Sequence, residues 1–179
     1  MDAYPHYTLE QLAATISSSL NTSATPQILR EVGRSQTCIT YEALAANSSH
    51  IIMKRPLQPS VEDVASFTRE AQLMQSLPPH PNICGFVAAN LQVDNLYICY
   101  EYMPGGSLAQ LIQSGSIYDV ISVALQIATG MMFLHSHGVL HRDLKSTNVM
   151  LDDNGVAKIC DFGISRREAA DMTAETGTY

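Results

Sequence analysis

Positive charge is in short supply: ten Lys and Arg stand against 17 Asp and Glu in 179 residues, for a formal charge of −7. An excess of that sign builds no basic face for phosphate backbones or anionic lipid, which argues against nucleic-acid and membrane-surface roles. Cysteine is sparse as well. Cys38, Cys84, Cys99 and Cys160 lie far apart, without the C-x-x-C spacing of a zinc site or redox pair, so a reduced intracellular protein is expected. No apolar run approaches the length that spans a bilayer, and Met1–Glu10 lacks the cationic start and apolar stretch of a secretory leader, which points to the cytoplasm. What is present, 46% hydrophobic residues over a length typical of one domain, predicts a globular chain with a packed core.

Periodicity organises that chain. Leu9, Leu12, Ala13 and Ile16 recur at helical spacing between Thr8 and Leu20, before a small-polar linker over Ser17–Pro26. From Ile28 to Met53 short β-friendly groups predict three antiparallel strands. Ser60 and Asp63 form a capping box ahead of a helix whose inner face carries Val64, Phe67, Ala71 and Met74, and Pro78-Pro79 stops it. Strand patterns return at Val87–Ala89 and Leu96–Tyr100. Ser107 with Gln110 caps a short helix, and Val120, Ala124, Ile127, Met131 and Leu134 mark a longer one ending near Gly138. Val149–Leu151 and Val156–Cys160 predict a hairpin about Asp152-Asp153-Asn154-Gly155. The chain passes from mainly β to mainly α.

The chemistry concentrates late. His141-Arg142-Asp143-Leu144-Lys145-Ser146-Thr147-Asn148 is followed, thirteen residues after Asn148, by Asp161-Phe162-Gly163. In order and spacing the two motifs resemble the catalytic loop and metal-binding loop of protein kinases. Phosphoryl transfer needs a carboxylate near the incoming hydroxyl, hard oxygen ligands for Mg²⁺ and cations over the developing phosphate charge. The resemblance assigns these to Asp143, which orients the hydroxyl or accepts its proton, to Asn148 and Asp161 as Mg²⁺ ligands, and to Lys145 at the transferring phosphoryl. It further implies that Lys54, at the end of a strand, grips the ATP phosphates and pairs with Glu70. Tyr100 falls in the gatekeeper place. Glu101 to Met103 offer backbone groups to adenine, and Gly33, Ser35, Thr40, Ile52 and Met150 complete the nucleotide-contacting set.

The fold so implied is α+β, a kinase-like two-lobe arrangement: an extension over 1–26, a β-rich lobe and hinge over 27–103, and the first part of a helical lobe over 104–179. The sequence also departs from the family pattern. Of the three glycines in G-x-G-x-x-G only Gly33 is kept, with Ser35 and Cys38 in the other two places and Thr40 where valine is usual. Ile52 stands where the family has alanine, and Tyr100 is bulky; overfilling of 1 to 3 kcal/mol, about what overpacking costs, would weaken ATP roughly tenfold to a hundredfold. Those departures keep a pseudokinase or nucleotide-binding interaction module as the competing expectation, with an inactive fragment as the third. Lys145 resembles the serine/threonine pattern, as does Thr178, and with Cys160–Arg166 these features look like the tyrosine-kinase-like group. Arg142 is a candidate docking cation for a phosphate on Ser165, Thr173 or Thr176, implying an upstream activating kinase. Thr176-Gly177-Thr178-Tyr179 resembles the stretch before the family's A-P-E motif, so the sequence reads as ending in the activation loop, with partners for the Val120–Leu134 face expected from later helices. Cys160 is expected to be a small buried hydrophobe.

Overall fold

The structure, a computed structural model, describes residues 25–116 and 118–167. The helix expected over Thr8–Leu20 and the candidates Thr173, Thr176 and Thr178 lie outside them. By internal contacts the chain forms two compact units: one runs to Ser76 and resumes over Phe86–Tyr102, the other combines Leu77–Gly85 with the chain from Met103. In this division a nine-residue excursion over Leu77–Gly85 belongs with the later unit.

The first unit is a five-stranded antiparallel sheet. Its strands are β1 (Gln27–Arg34), β2 (Cys38–Leu44), β3 (His50–Pro56), β4 (Phe86–Asn90) and β5 (Tyr97–Glu101), in the order β1-β2-β3-β5-β4. Alternation sets its faces. Ala43, Ile51, Met53, Ala88, Tyr97 and Cys99 form one buried cluster, while Thr40 pairs with Lys54, Lys54 with Ile98, and Ile52 with Tyr100 on the opposite face. Helix α1 (Val61–Ser76) begins where the capping box closes in both directions: the Ser60 N–H donates to Asp63 Oδ2 (3.0 Å) and the Asp63 N–H to Ser60 Oγ (3.2 Å). Glu62 and Asp63 in the first turn suit the positive end of the helix dipole. The face bearing Phe67, Glu70, Ala71 and Met74 is buried, as the spacing predicts; Val64 is half-buried.

The second unit holds α2 (Leu108–Gln113), α3 (Val120–Ser136), the two-residue β6 (Val139–Leu140), the hairpin β7 (Val149–Leu151) with β8 (Ala157–Ile159), and β9 (Arg166–Arg167) on β6. The Ser107–Gln110 box caps α2 as expected, and Asp119 caps α3 by accepting from the Ser122 N–H. The hairpin turn is closed by Asp152, whose carboxylate accepts from the N–H groups of Asn154 (2.9 Å) and Val156 (2.8 Å). Leu108, Val123, Val149, Leu151 and Ala157 pack as this unit's core. Along α3, Leu134 of the expected face is buried and Ile127 and Met131 half-buried, while Val120 (61%) and Ala124 are exposed; Val123 and Gly130 are buried beside them. Periodicity in so apolar a helix leaves its rotation undecided, and packing on the hairpin chooses it.

Two glycines are explained by close approach. A Cβ on Gly105 would lie 2.8 Å from the Leu151 carbonyl oxygen, to which the Gly105 N–H donates at 3.0 Å. In α3, where glycine ordinarily costs helix stability, a Cβ on Gly130 would lie 2.7 Å from Asn82 O and 2.9 Å from Ile159 Cδ1. That same Asn82 carbonyl accepts from the Ile159 N–H (3.0 Å), and Asn82 Nδ2 donates to Ala157 O (3.0 Å), so it cannot yield cheaply. Gly130→Ala is expected to destabilise the protein by about 1 to 3 kcal/mol despite the better helix propensity of alanine. A urea midpoint unchanged or raised in the variant contradicts this packing.

Candidate functional site

In the first unit, Lys54 leaves β3 toward α1 and reaches Glu70, with Nζ 3.2 Å from Oε2 and 3.4 Å from Oε1. Glu70 is 3% exposed and Lys54's side chain 18%. The Tyr100 hydroxyl also donates to Glu70 Oε1, a contact that nothing in the sequence pattern signals. Tyr100 and Ile52 are direct cross-strand partners, so the two bulky residues stand side by side on the Lys54 face. Glu101 ends β5 opposite Ile51.

The β1–β2 connection is tied to itself. Gly33 pairs with Thr40, and a Cβ there would meet only Thr40 Cβ at 3.8 Å, so this position does not sterically demand glycine. Ser35 Oγ accepts from the N–H groups of Cys38 (3.0 Å) and Thr37 (3.3 Å), while the Ser35 N–H donates to Cys38 O (2.8 Å). A glycine-rich phosphate loop works by offering bare N–H groups; here a side chain engages two of them. Burial pushes the Cys38 thiol up, which makes it a poor nucleophile. Ser35→Gly is expected to release both amides and lower KM for ATP a few-fold, a hydrogen bond's net worth of about 1 kcal/mol offset by glycine's entropy. A rise in KM would count against this reading of the loop.

In the second unit, Asp143, Lys145 and Asn148 converge. Lys145 Nζ donates to Asp143 Oδ2 (2.6 Å), and Asn148 Nδ2 donates to the same oxygen (3.0 Å) and to Asp143 O (2.9 Å). The Lys145 hydrogen bond, seconded by that of Asn148, holds the Asp143 carboxyl below the usual carboxylate range. Buried His141 links the two motifs: its Nδ1 accepts from the Asp143 N–H (3.3 Å), so its Nε2–H donates to Cys160 O (3.0 Å), and its ring meets Phe162 edge-on. The Cys160 N–H donates to Asn148 O (2.8 Å), which fixes the chain just before Asp161 against the Asn148 backbone. Arg142 and Asp161 carry φ of 68° and 64°, a left-handed conformation that costs energy and clusters at functional sites. Ser165 Oγ donates to His141 O (3.1 Å). Met103 is buried and accepts from the Gly106 N–H (3.2 Å), Met150 pairs with Lys158 and bridges to Ser107, and Cys160 is half-buried with its thiol directed to Lys158 O.

The fold and this loop arrangement define the class: the family model described as "Protein kinase domain" matches residues 27–179, and the chain belongs to the protein kinase family, with its two-lobe α+β fold. Among curated relatives it is 35% identical to the serine/threonine-protein kinase STY17 of Arabidopsis thaliana, over 70% of this chain and 23% of that protein. It is 40% identical to STY46 of the same plant over 63% of the chain and 20% of that protein, and 35% identical to the tyrosine-protein kinase Src64B of Drosophila melanogaster over 81% and 27%. The chain thus spans about a quarter of the length of these relatives. Kinases of both hydroxyl specificities resemble it. No helix among the described residues is long and apolar enough to cross a membrane.

The residues suit the cofactors that kinases use. Asn148 spends its amide nitrogen on Asp143, which leaves its oxygen as the donor atom, and Asp161 adds a carboxylate. Two hard oxygen ligands are what Mg²⁺ takes from a protein when phosphate and water fill the rest of its octahedron.

Proposed function

We propose that the protein carrying this chain transfers the γ-phosphate of ATP to serine and threonine hydroxyls of other proteins, in a reducing cytoplasmic setting where its four cysteines stay free. The single observation that carries the specificity is the Lys145 ammonium on Asp143 Oδ2 at 2.6 Å. A lysine two residues after the aspartate follows the serine/threonine pattern and supplies a cation beside the carboxylate that receives the substrate hydroxyl.

Each role follows from the chemistry of its side chain. Lys54, held by Glu70, steadies the ATP phosphates; Asn148 and Asp161 hold Mg²⁺, which neutralises charge on the phosphates. Asp143, which accepts from Lys145 and Asn148, aims the hydroxyl or accepts its proton. Lys145 lies over the developing phosphoryl charge. Gly33, Ser35, Thr40, Ile52, Glu101, Met103 and Met150 line the nucleotide. Activation by an upstream kinase acting on Thr173 or Thr176, with Arg142 receiving the phosphate, is part of the same proposal.

One observation favours a second reading, a pseudokinase: Ser35 engages two loop amides that would otherwise meet phosphate. Incubating the whole protein with labelled ATP and a degenerate peptide library, followed by phosphoamino-acid analysis, separates the two. Label on serine or threonine supports the kinase, label on tyrosine alone overturns the specificity, and nucleotide binding without transfer supports the pseudokinase.

A further inference from the structure

Glu70 is a carboxylate 3% exposed, and its ion pair with Lys54 is long, 3.2 and 3.4 Å. Charge-assisted N–H···O bonds close to about 2.7 to 2.9 Å when they carry a buried charge by themselves. The pair therefore does not by itself supply Glu70 Oε1 with a close donor. Tyr100 does: its hydroxyl donates to Oε1, it is 7% exposed, and it stands on an inner strand of the sheet, paired with Ile52 on one side and Phe86 on the other. Ile98, two residues earlier on the same face, pairs with Lys54. One strand thus places the phenol beside the ion pair and on its face.

We propose that Tyr100 is a positioning residue for the phosphate-binding lysine: its hydroxyl fastens Glu70, and through it α1, to β5, so that the Lys54–Glu70 pair keeps its register. The inference deepens the kinase reading and rests on it for the role of Lys54. It also changes the meaning of the bulky side chain, which acts through its oxygen and not only through its volume. Without that donor, Glu70 has Lys54 alone to satisfy Oε1, and the ammonium is drawn toward the carboxylate at the expense of the nucleotide.

Tyr100→Phe removes the oxygen and keeps the ring, so a residue that only fills space is unaffected by it. In the whole protein we expect Tyr100→Phe to raise KM for ATP about tenfold, the lower range for a hydrogen bond to a charged group, with kcat and the peptide KM little changed. Hydrogen exchange of the α1 amides, measured without nucleotide, should quicken by a similar factor. Both effects should vanish in a Glu70→Ala background, which removes the acceptor, since two residues that act through one contact are not additive. Tyr100→Phe indistinguishable from the parent, or equally harmful with and without Glu70, overturns the proposal. A parent protein that transfers no phosphate defeats the kinase reading instead, and the exchange of α1 still decides the role of Tyr100.

Discussion

Asp161→Asn is expected to reduce phosphoryl transfer roughly a thousandfold, the rate equivalent of the several kcal/mol that a metal contributes to a charged transition state. The substitution removes the charge and keeps the side-chain shape. Asp161 holds φ at 64°, a conformation that asparagine accepts as readily as aspartate, and the anchors on either side of it, the Cys160 N–H on Asn148 O and the Ser165 N–H on Phe162 O, belong to the backbone. A variant with an unchanged circular dichroism spectrum and melting temperature but no transfer, at any Mg²⁺ concentration, fits the proposed ligand role. Retention of transfer to within about tenfold of the parent would remove Asp161 from the metal site.

The second large effect is expected at Asp143. Asp143→Asn should lower kcat by about 10² to 10⁴, the usual contribution of a positioned acid–base group, while KM for ATP holds, because the nucleotide phosphates are assigned to other residues. Asparagine can keep these contacts but not the charge: its amide oxygen, in the place of Asp143 Oδ2, can accept from both Lys145 and Asn148, while the anionic second oxygen becomes an NH₂ donor facing the incoming hydroxyl. The pH dependence has a defined sign. Since Lys145 holds the folded carboxyl below its unfolded range, its contribution to stability is present above about pH 4 and fades as pH falls through the lower folded value. Asp143→Asn should therefore flatten the acid side of the stability profile, and Asp143 itself should not produce an activity limb between pH 5 and 8. Equal kcat in the two proteins, or a fall in ATP affinity with kcat preserved, would assign Asp143 elsewhere.

The loop from His141 to Asn148 was legible through its resemblance to the kinase motif, and its residues meet because they are close in sequence. Asp143, Lys145 and Asn148 lie within six positions, and a single turn of chain from Ser146 to Asn148 brings the amide back onto the aspartate. Capping boxes at Ser60–Asp63 and Ser107–Gln110 were legible because caps close within four residues, whereas the strand lysine and its helix glutamate were paired only by the resemblance to kinases. Where periodic signals compete they leave the buried face undecided. Helix α3 is apolar nearly all round, so its sequence offers several inner faces, and the one actually buried, with Gly130 against the Asn82 carbonyl, depends on a loop almost fifty positions away.

By itself, then, the sequence determined the family, through two motifs that resemble the kinase pattern, and most of the strand and helix order, which is written in short-range spacing. Tertiary structure alone decided that Leu77–Gly85 packs with the later unit, that His141 ties the two motifs together, that Ser35 closes on its own loop amides and that Tyr100 reaches Glu70. Each of these depends on which surfaces are brought together and which polar atoms then lose water. Residues 30 apart, such as Glu70 and Tyr100, carry no common periodicity; what joins them is the need of a buried carboxylate for a donor once strand and helix have closed over it.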